Sequence, residues 1–139
     1  MTGGWEELSV GQAMPVFVDA PLTRTDFVRY QGASGDMNPI HHDDEFARAA
    51  GFPTVLSVGM LSAGIAASRL ADWLGPGSIR RFRVRFREQA WPGDILTYTG
   101  RVVAEREVKG KGRLVEVEFA VARVSGRVHI EGWATLEIT

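Results

Sequence analysis

The sequence predicts an α+β fold in which an antiparallel sheet wraps a central buried helix, and three observations predict it. Residues 57–74 form a helical stretch with apolar residues on nearly all its sides and only two charges, Arg69 and Asp72. A helix of that kind is buried rather than laid on a surface. The chain after it alternates with period two between turn signals, the pattern of half-buried strands. The 139 residues, 45% hydrophobic and free of low-complexity runs, are sized for a single domain over 1–139 with one core.

Val16, Phe17 and Val18 read as a first strand. Thr23-Arg24-Thr25-Asp26 has the form of a capping box and opens a helix through Tyr30. The run from Ser34 to His41 cannot continue it. Pro39 disfavours helical backbone at Asn38, and Gly35 permits conformations that other residues resist, so this run is a tight bend. A short helix over 43–50 follows, with Asp43, Asp44 and Glu45 suited to the positive end of its dipole and Gly51 placed to stop it. Beyond the buried helix, Gly75-Pro76-Gly77 ends helical structure. Phe82, Val84 and Phe86 then alternate with Arg81, Arg83, Arg85 and Arg87, a strand with one buried and one basic face. Trp91-Pro92-Gly93-Asp94 turns into a long strand over 95–108, and Lys109-Gly110-Lys111-Gly112 makes a hairpin connection to a strand over 114–124. Ser125-Gly126-Arg127 turns the chain into the last strand, 128–138. One strand, a buried helix, then long antiparallel strands is the order of the hot-dog fold.

Composition excludes several classes. Sixteen basic and seventeen acidic side chains leave a net charge of −1, which argues against a general binder of nucleic acid or membrane surfaces. There is no cysteine, hence no disulfide framework, thiol nucleophile or thiolate metal site. The first seven residues lack the basic start and apolar run of a signal peptide, and residues 51–67 are too short and mixed to span a bilayer. The expectation is a soluble, cytoplasmic protein. His42 beside Asp43, Asp44 and Glu45 does not read as a metal site, because contiguous residues cannot all face one ion and the only distant histidine is His129.

The chemistry is carried by the bend. Asp36 and His41 stand five residues apart on a stretch that is not a regular helix, an acid/base pair on a loop. A carboxylate and an imidazole turned onto one small molecule can polarise a water and move its protons. Asn38 reads as a brace for this loop through backbone hydrogen bonds. The start of the buried helix supplies a second element, since its first amides are unpaired and carry the positive end of the dipole. Gly59 sits there, with Ser57 as a candidate N-cap.

Ser34-Gly35-Asp36-Met37-Asn38-Pro39-Ile40-His41, followed by an acidic helix start, resembles the signature of the MaoC-like (R)-specific enoyl-CoA hydratases and dehydratases, the hydratase 2 family. The resemblance implies the hot-dog fold and addition of water across the double bond of a trans-2-enoyl thioester, or the reverse dehydration of an (R)-3-hydroxyacyl thioester. It implies Asp36 and His41 as the catalytic pair. It also implies the backbone N–H of Gly59 as the oxyanion donor. At that helix start the match is partial, because Ser57-Val58-Gly59-Met60 carries Val58 where the family has histidine. No cofactor is expected, coenzyme A or an acyl carrier protein being the carrier of the substrate thioester. Arg81, Arg83, Arg85 and Arg87 are candidate contacts for that carrier, since guanidinium groups bind phosphate in forked geometry, or else a solvated strand face. A small hot-dog sheet leaves a strand edge to cover, so a homodimer, or a heterodimer with a related subunit, is expected. Two other readings stand beside the hydratase: a hot-dog acyl-thioesterase, and a non-catalytic acyl-binding subunit of a heterodimeric dehydratase.

Overall fold

The structure, a computed structural model, describes residues 8–110 and 112–138. The signal-peptide reading of residues 1–7 and the Lys111 position of the hairpin connection lie outside the described residues. Strand β1 is Phe17–Val18, and helix α1 follows over Arg24–Ser34. The capping box forms as expected: Thr23 Oγ1 accepts from the Asp26 amide at 3.1 Å and Asp26 Oδ2 accepts from the Thr23 amide at 2.9 Å. Such a cap contributes about 1 kcal/mol. Helix α1 runs one turn beyond Tyr30, so Ser34 belongs to the helix end and not to the bend. The bend carries a short 3-10 turn, Pro39–His41, and leads to α2, Asp44–Ala49, which Asp43 caps through its carboxylate.

Helix α3, Gly59–Leu74, is the central helix. Ser62, Ala63, Ala66, Leu70 and Leu74 are its buried face. The expectation of a helix covered on nearly all sides is too strong, because Met60, Gly64, Ser68 and Asp72 form an exposed stripe at four-residue spacing. Three sides pack and one remains open.

Strands β2 (Ile79–Phe86), β3 (Leu96–Val108), β4 (Gly112–Arg123) and β5 (Val128–Ile138) join β1 in one antiparallel sheet of order β1-β3-β4-β5-β2. The sheet lies against α3, which is the hot-dog arrangement. Its inner face carries Val115, Val117, Phe119 and Val121 of β4 and Ile130, Ala134 and Leu136 of β5, all buried. Phe119 lies across β5 and stacks on Phe82, ring centroids 5.2 Å apart, and Gly132 makes that possible. A Cβ at Gly132 would come 1.9 Å from the Phe119 Cζ. Strand β2 pairs only with β5, so its other edge has no strand beside it among the described residues.

One irregularity bears on function. Val121 pairs with Ile130 while Ala122 pairs with Val128, so His129 is an extra residue in β5, a bulge. Bulges re-aim side chains. Here His129 turns inward and is 2% exposed.

Candidate active site

Short-range hydrogen bonds build the bend. Gly35 ends α1 in the left-handed region at φ 79°, and its amide donates to the Gln31 carbonyl. The Asp36 amide donates to Ser34 Oγ, Asp36 Oδ1 accepts from the Asn38 amide, and Asn38 Oδ1 accepts from the Ile40 amide, all between 3.1 and 3.2 Å. Asn38 is thus a brace, as its residue type suggests. With Oδ1 held in the turn, Asp36 presents Oδ2 to His41 Nε2 at 3.9 Å. That is too long for a direct hydrogen bond.

His41 is oriented from its other nitrogen. Nδ1 lies 2.8 Å from the Leu56 carbonyl, which can only accept, so Nδ1 carries the ring proton. In the neutral ring this assigns the lone pair to Nε2, the nitrogen that faces Asp36. Leu56 is itself strapped down: its amide donates to the Ile40 carbonyl at 3.2 Å, and the next amide, Ser57, donates to Ala90 at 2.9 Å. Upstream, Asp44 holds the same segment by accepting from Thr54 Oγ1 and the Val55 amide and by pairing with Arg24 at 3.0 Å. Those contacts, the Thr54 hydroxyl first, hold the Asp44 carboxyl down at about 2.

Asp36, His41 and Gly59 line one cleft of about 290 Å³, together with Phe86, Arg87 and His129. Gly59 is the first residue of α3, and no side chain caps that turn. The candidate N-cap Ser57 is displaced by one position: Val58 is the N-cap residue, and the buried Ser57 Oγ has no hydrogen-bond partner. The Phe86 ring packs on Gly59 so closely that a Cβ there would meet its Cε1 at 2.6 Å. Gly59 therefore serves close packing as well as leaving an uncapped helix end.

The arginine row divides. Arg87 borders the cleft and lies 3.9 Å from Glu131. Arg81 and Arg83 face the outer side of the sheet, where Arg83 sits over the Trp133 ring at 5.4 Å, and Arg85 lies with Arg127 and Glu131. Three of the four are away from Asp36 and His41.

Three residues of the site were not singled out from sequence as functional. Gln31 is 2% exposed and ties α1 to the two flanks of the 3-10 turn, Asn38 and His42. Phe86 is the last residue of an alternating strand, with nothing local to tie it to Gly59. His129 donates from Nδ1 to the Glu88 carbonyl at 2.6 Å and accepts at Nε2 from Ser62 Oγ at 3.1 Å. Burial pushes its pKa below the ordinary histidine value, against the opposing effect of the Glu88 carbonyl. Among the described residues no cluster of three or more histidine and acidic side chains is placed to hold a metal, and no helix is long and apolar enough to cross a membrane.

Comparison with known proteins bears on the family and the fold. Residues 8–124 match the family described as MaoC like domain. The chain is 36% identical over 123 residues to 3-hydroxyacyl-thioester dehydratase Y of Mycobacterium tuberculosis, covering 78% of this chain but 42% of that protein. It is 31% identical over 140 residues to the (R)-specific enoyl-CoA hydratase of Rhodospirillum rubrum, covering 96% of this chain and 90% of that one. Among solved structures, the (R)-hydratase from A. caviae involved in PHA biosynthesis superposes with a TM-score of 0.85 at 24% identity, over 96% of this chain and 99% of that chain. At that identity the likeness speaks for the fold.

Proposed function

Because the chain belongs to the MaoC-like domain family, we propose that it catalyses (R)-specific hydration of trans-2-enoyl thioesters, or the reverse dehydration of (R)-3-hydroxyacyl thioesters. The observation that carries this reading is the orientation of His41. Its Nδ1 is committed to the Leu56 carbonyl, which leaves Nε2 as a proton acceptor 3.9 Å from Asp36 Oδ2. One water oxygen fits within hydrogen-bond distance of both groups.

The chemistry follows from the substrate. The β carbon of an unsaturated thioester is electrophilic because charge flows to the thioester oxygen. Water's oxygen bonds to the β carbon while the Asp36/His41 pair takes one of its protons. The α carbon, made basic as the double bond opens, then receives a proton from the pair. Atoms balance without a cofactor: one water is consumed and one hydroxyl and one C–H are formed. During the step negative charge gathers on the thioester oxygen, and the uncapped start of α3 at Gly59 is suited to stabilise it through its N–H and the helix dipole. Of the four arginines Arg87 alone borders this cleft, which supports it as the candidate contact for the carrier of the thioester, coenzyme A or an acyl carrier protein. A second hot-dog unit, identical or related, would cover the open edge of β2.

The purified protein is expected to hydrate crotonyl-CoA to (R)-3-hydroxybutyryl-CoA, read by loss of enoyl absorbance and chiral analysis of the product. Asp36→Asn and His41→Ala are each expected to lower kcat by about 10²–10⁴-fold with the fold intact. An (S) product, or full activity in both variants, would sink the reading. Release of free thiol from a saturated acyl-CoA would instead favour a thioesterase.

A further inference from the structure

His129 is a buried titratable group in this cleft that the proposed reaction does not use. It comes from the bulge in β5, where the extra residue turns its side chain toward α3. Both ring nitrogens are engaged, one by the Glu88 carbonyl and one by the Ser62 hydroxyl, so the ring is tied to the start of the loop after β2 and to the first turn of α3. A ring pinned at two points does not swing aside as an exposed side chain would. It is the buried wall of the cleft, and the half-exposed Phe86, whose ring centroid is 6.5 Å away, is its neighbour on the solvent side.

Beyond the ring the interior is closed. Ser62, Ala63, Ala66 and Leu70 of α3 are each no more than 3% exposed, and Tyr98, whose phenol burial pushes up to about 12, lies beside Ser62. The cleft itself, at about 290 Å³, falls just below the roughly 300–1,000 Å³ usual for ligand pockets. An acyl chain that enters past Gly59 and Phe86 meets a fixed, polar wall instead of an apolar tunnel.

We propose that His129, held by Ser62 and the Glu88 carbonyl, is a specificity-determining residue that ends the acyl pocket and restricts the site to short-chain thioesters. The inference rests on the proposed use of this cleft for acyl thioesters and adds the acyl class. It makes the imidazole a stop by its volume and its fixed position, while Ser62 is a positioning residue that acts through it. Lengthening the acyl chain then costs affinity where an open tunnel would gain it, and removing the ring opens the way along α3.

The test compares crotonyl-CoA with trans-2-octenoyl-CoA as substrates, and butyryl-CoA with octanoyl-CoA as calorimetric ligands that need no turnover. Wild type is expected to favour crotonyl-CoA in kcat/KM by about tenfold or more, the scale of a pocket-size discrimination, and to bind butyryl-CoA at least as tightly as octanoyl-CoA. His129→Ala is expected to shift the kcat/KM ratio about tenfold or more toward octenoyl-CoA, whereas His129→Leu, which keeps most of the volume, retains the short-chain preference. Equal or better use of octenoyl-CoA by wild type, or an unchanged ratio in a folded His129→Ala, overturns the proposal and leaves the hydration reaction standing. If His129→Ala does not fold, tighter binding of octanoyl-CoA by wild type overturns it alone. Binding that favours butyryl-CoA in a protein that hydrates neither enoyl thioester would remove the reaction and leave this inference supported.

Discussion

The side-chain amide of Gln31 donates to the main-chain carbonyl of Asn38 at 3.0 Å, tying helix α1 to the middle of the acid/base bend. Its oxygen accepts from His42 Nδ1 at 2.9 Å, so one buried amide fixes both flanks of the 3-10 turn that carries His41. Replacing it by leucine removes both hydrogen bonds, at a cost of about 0.5–1.5 kcal/mol for each, since the Asn38 carbonyl keeps the His41 amide and His42 is exposed. Gln31→Leu is expected to lower kcat more than it raises KM, because it loosens the aim of Asp36 and His41 and leaves the acyl cleft alone. Thermal denaturation and steady-state kinetics on the same sample check both parts; a stability loss with unchanged kcat would contradict the positioning role.

Gly59 and Phe86 can be separated by a double-mutant cycle. In Gly59→Ala the new Cβ would overlap the Phe86 ring at 2.6 Å, and the half-exposed ring is free to swing into the cleft. Gly59→Ala is expected to cost about tenfold or more in kcat/KM. If crowding by the ring is the cause, Phe86→Ala in the same chain restores most of the loss. If the methyl instead blocks the thioester oxygen from the helix amide, the double variant stays as slow as Gly59→Ala. The second outcome is expected, with a coupling energy near zero measured from the four kcat/KM values.

Much of this architecture was legible because it is local. The capping box at Thr23 and Asp26, the bend forced by Gly35 and Pro39, and the stop at Gly51 are each decided by residues within a turn of one another, and the strands announce themselves by alternation. The site was legible where its groups share that bend. Distant contacts were not. Gln31 lies on a helix whose sequence is largely polar, so nothing marks it as the one amide turned inward. A period-two count along β5 puts His129 and Ile130 on opposite faces, and only the bulge brings both inside. The arginine row was read as one surface, but the end of β2 reaches the cleft while its middle faces the outer side of the sheet, which leaves Arg87 apart from Arg81 and Arg83.

The stacking of Phe119 on Phe82 gives a stability test far from the chemistry. Gly132→Ala places a methyl inside the Phe119 ring, which is 5% exposed and stacked on Phe82. Overpacking of this kind costs about 1–3 kcal/mol, or about 3–10 °C in Tm for a chain of this size. Differential scanning calorimetry is expected to show that drop, with crotonyl-CoA kinetics below the transition close to wild type.

Acid stability should fall in two windows. Burial keeps His129 neutral when the unfolded chain would already take up a proton, so its contribution is intact above about pH 6.5 and is lost as pH falls below it. Asp44 is lowered from 3.8 to about 2, so its stabilising effect is present above about pH 4 and disappears as pH falls toward 2. Thermal melts between pH 7 and pH 2 are expected to show a shallower slope in the upper window for His129→Leu and in the lower window for Asp44→Asn. Parallel curves for either variant and wild type would contradict the corresponding assignment.

The bulge at His129 makes the reading frame of β5 a functional quantity. Deleting that residue would leave Val128 next to Ile130, restore an unbroken ladder against β4, and let every downstream side chain keep its partner from Ile130 to Ile138. The sheet would become more regular, while the Ser62 hydroxyl lost its acceptor and the cleft lost its inner wall. A single-residue insertion at the start of the last strand is therefore what aims a buried side chain at the cleft, and its removal would alter the cleft wall while leaving the Asp36-to-His41 bend and the rest of the β4 pairing in place.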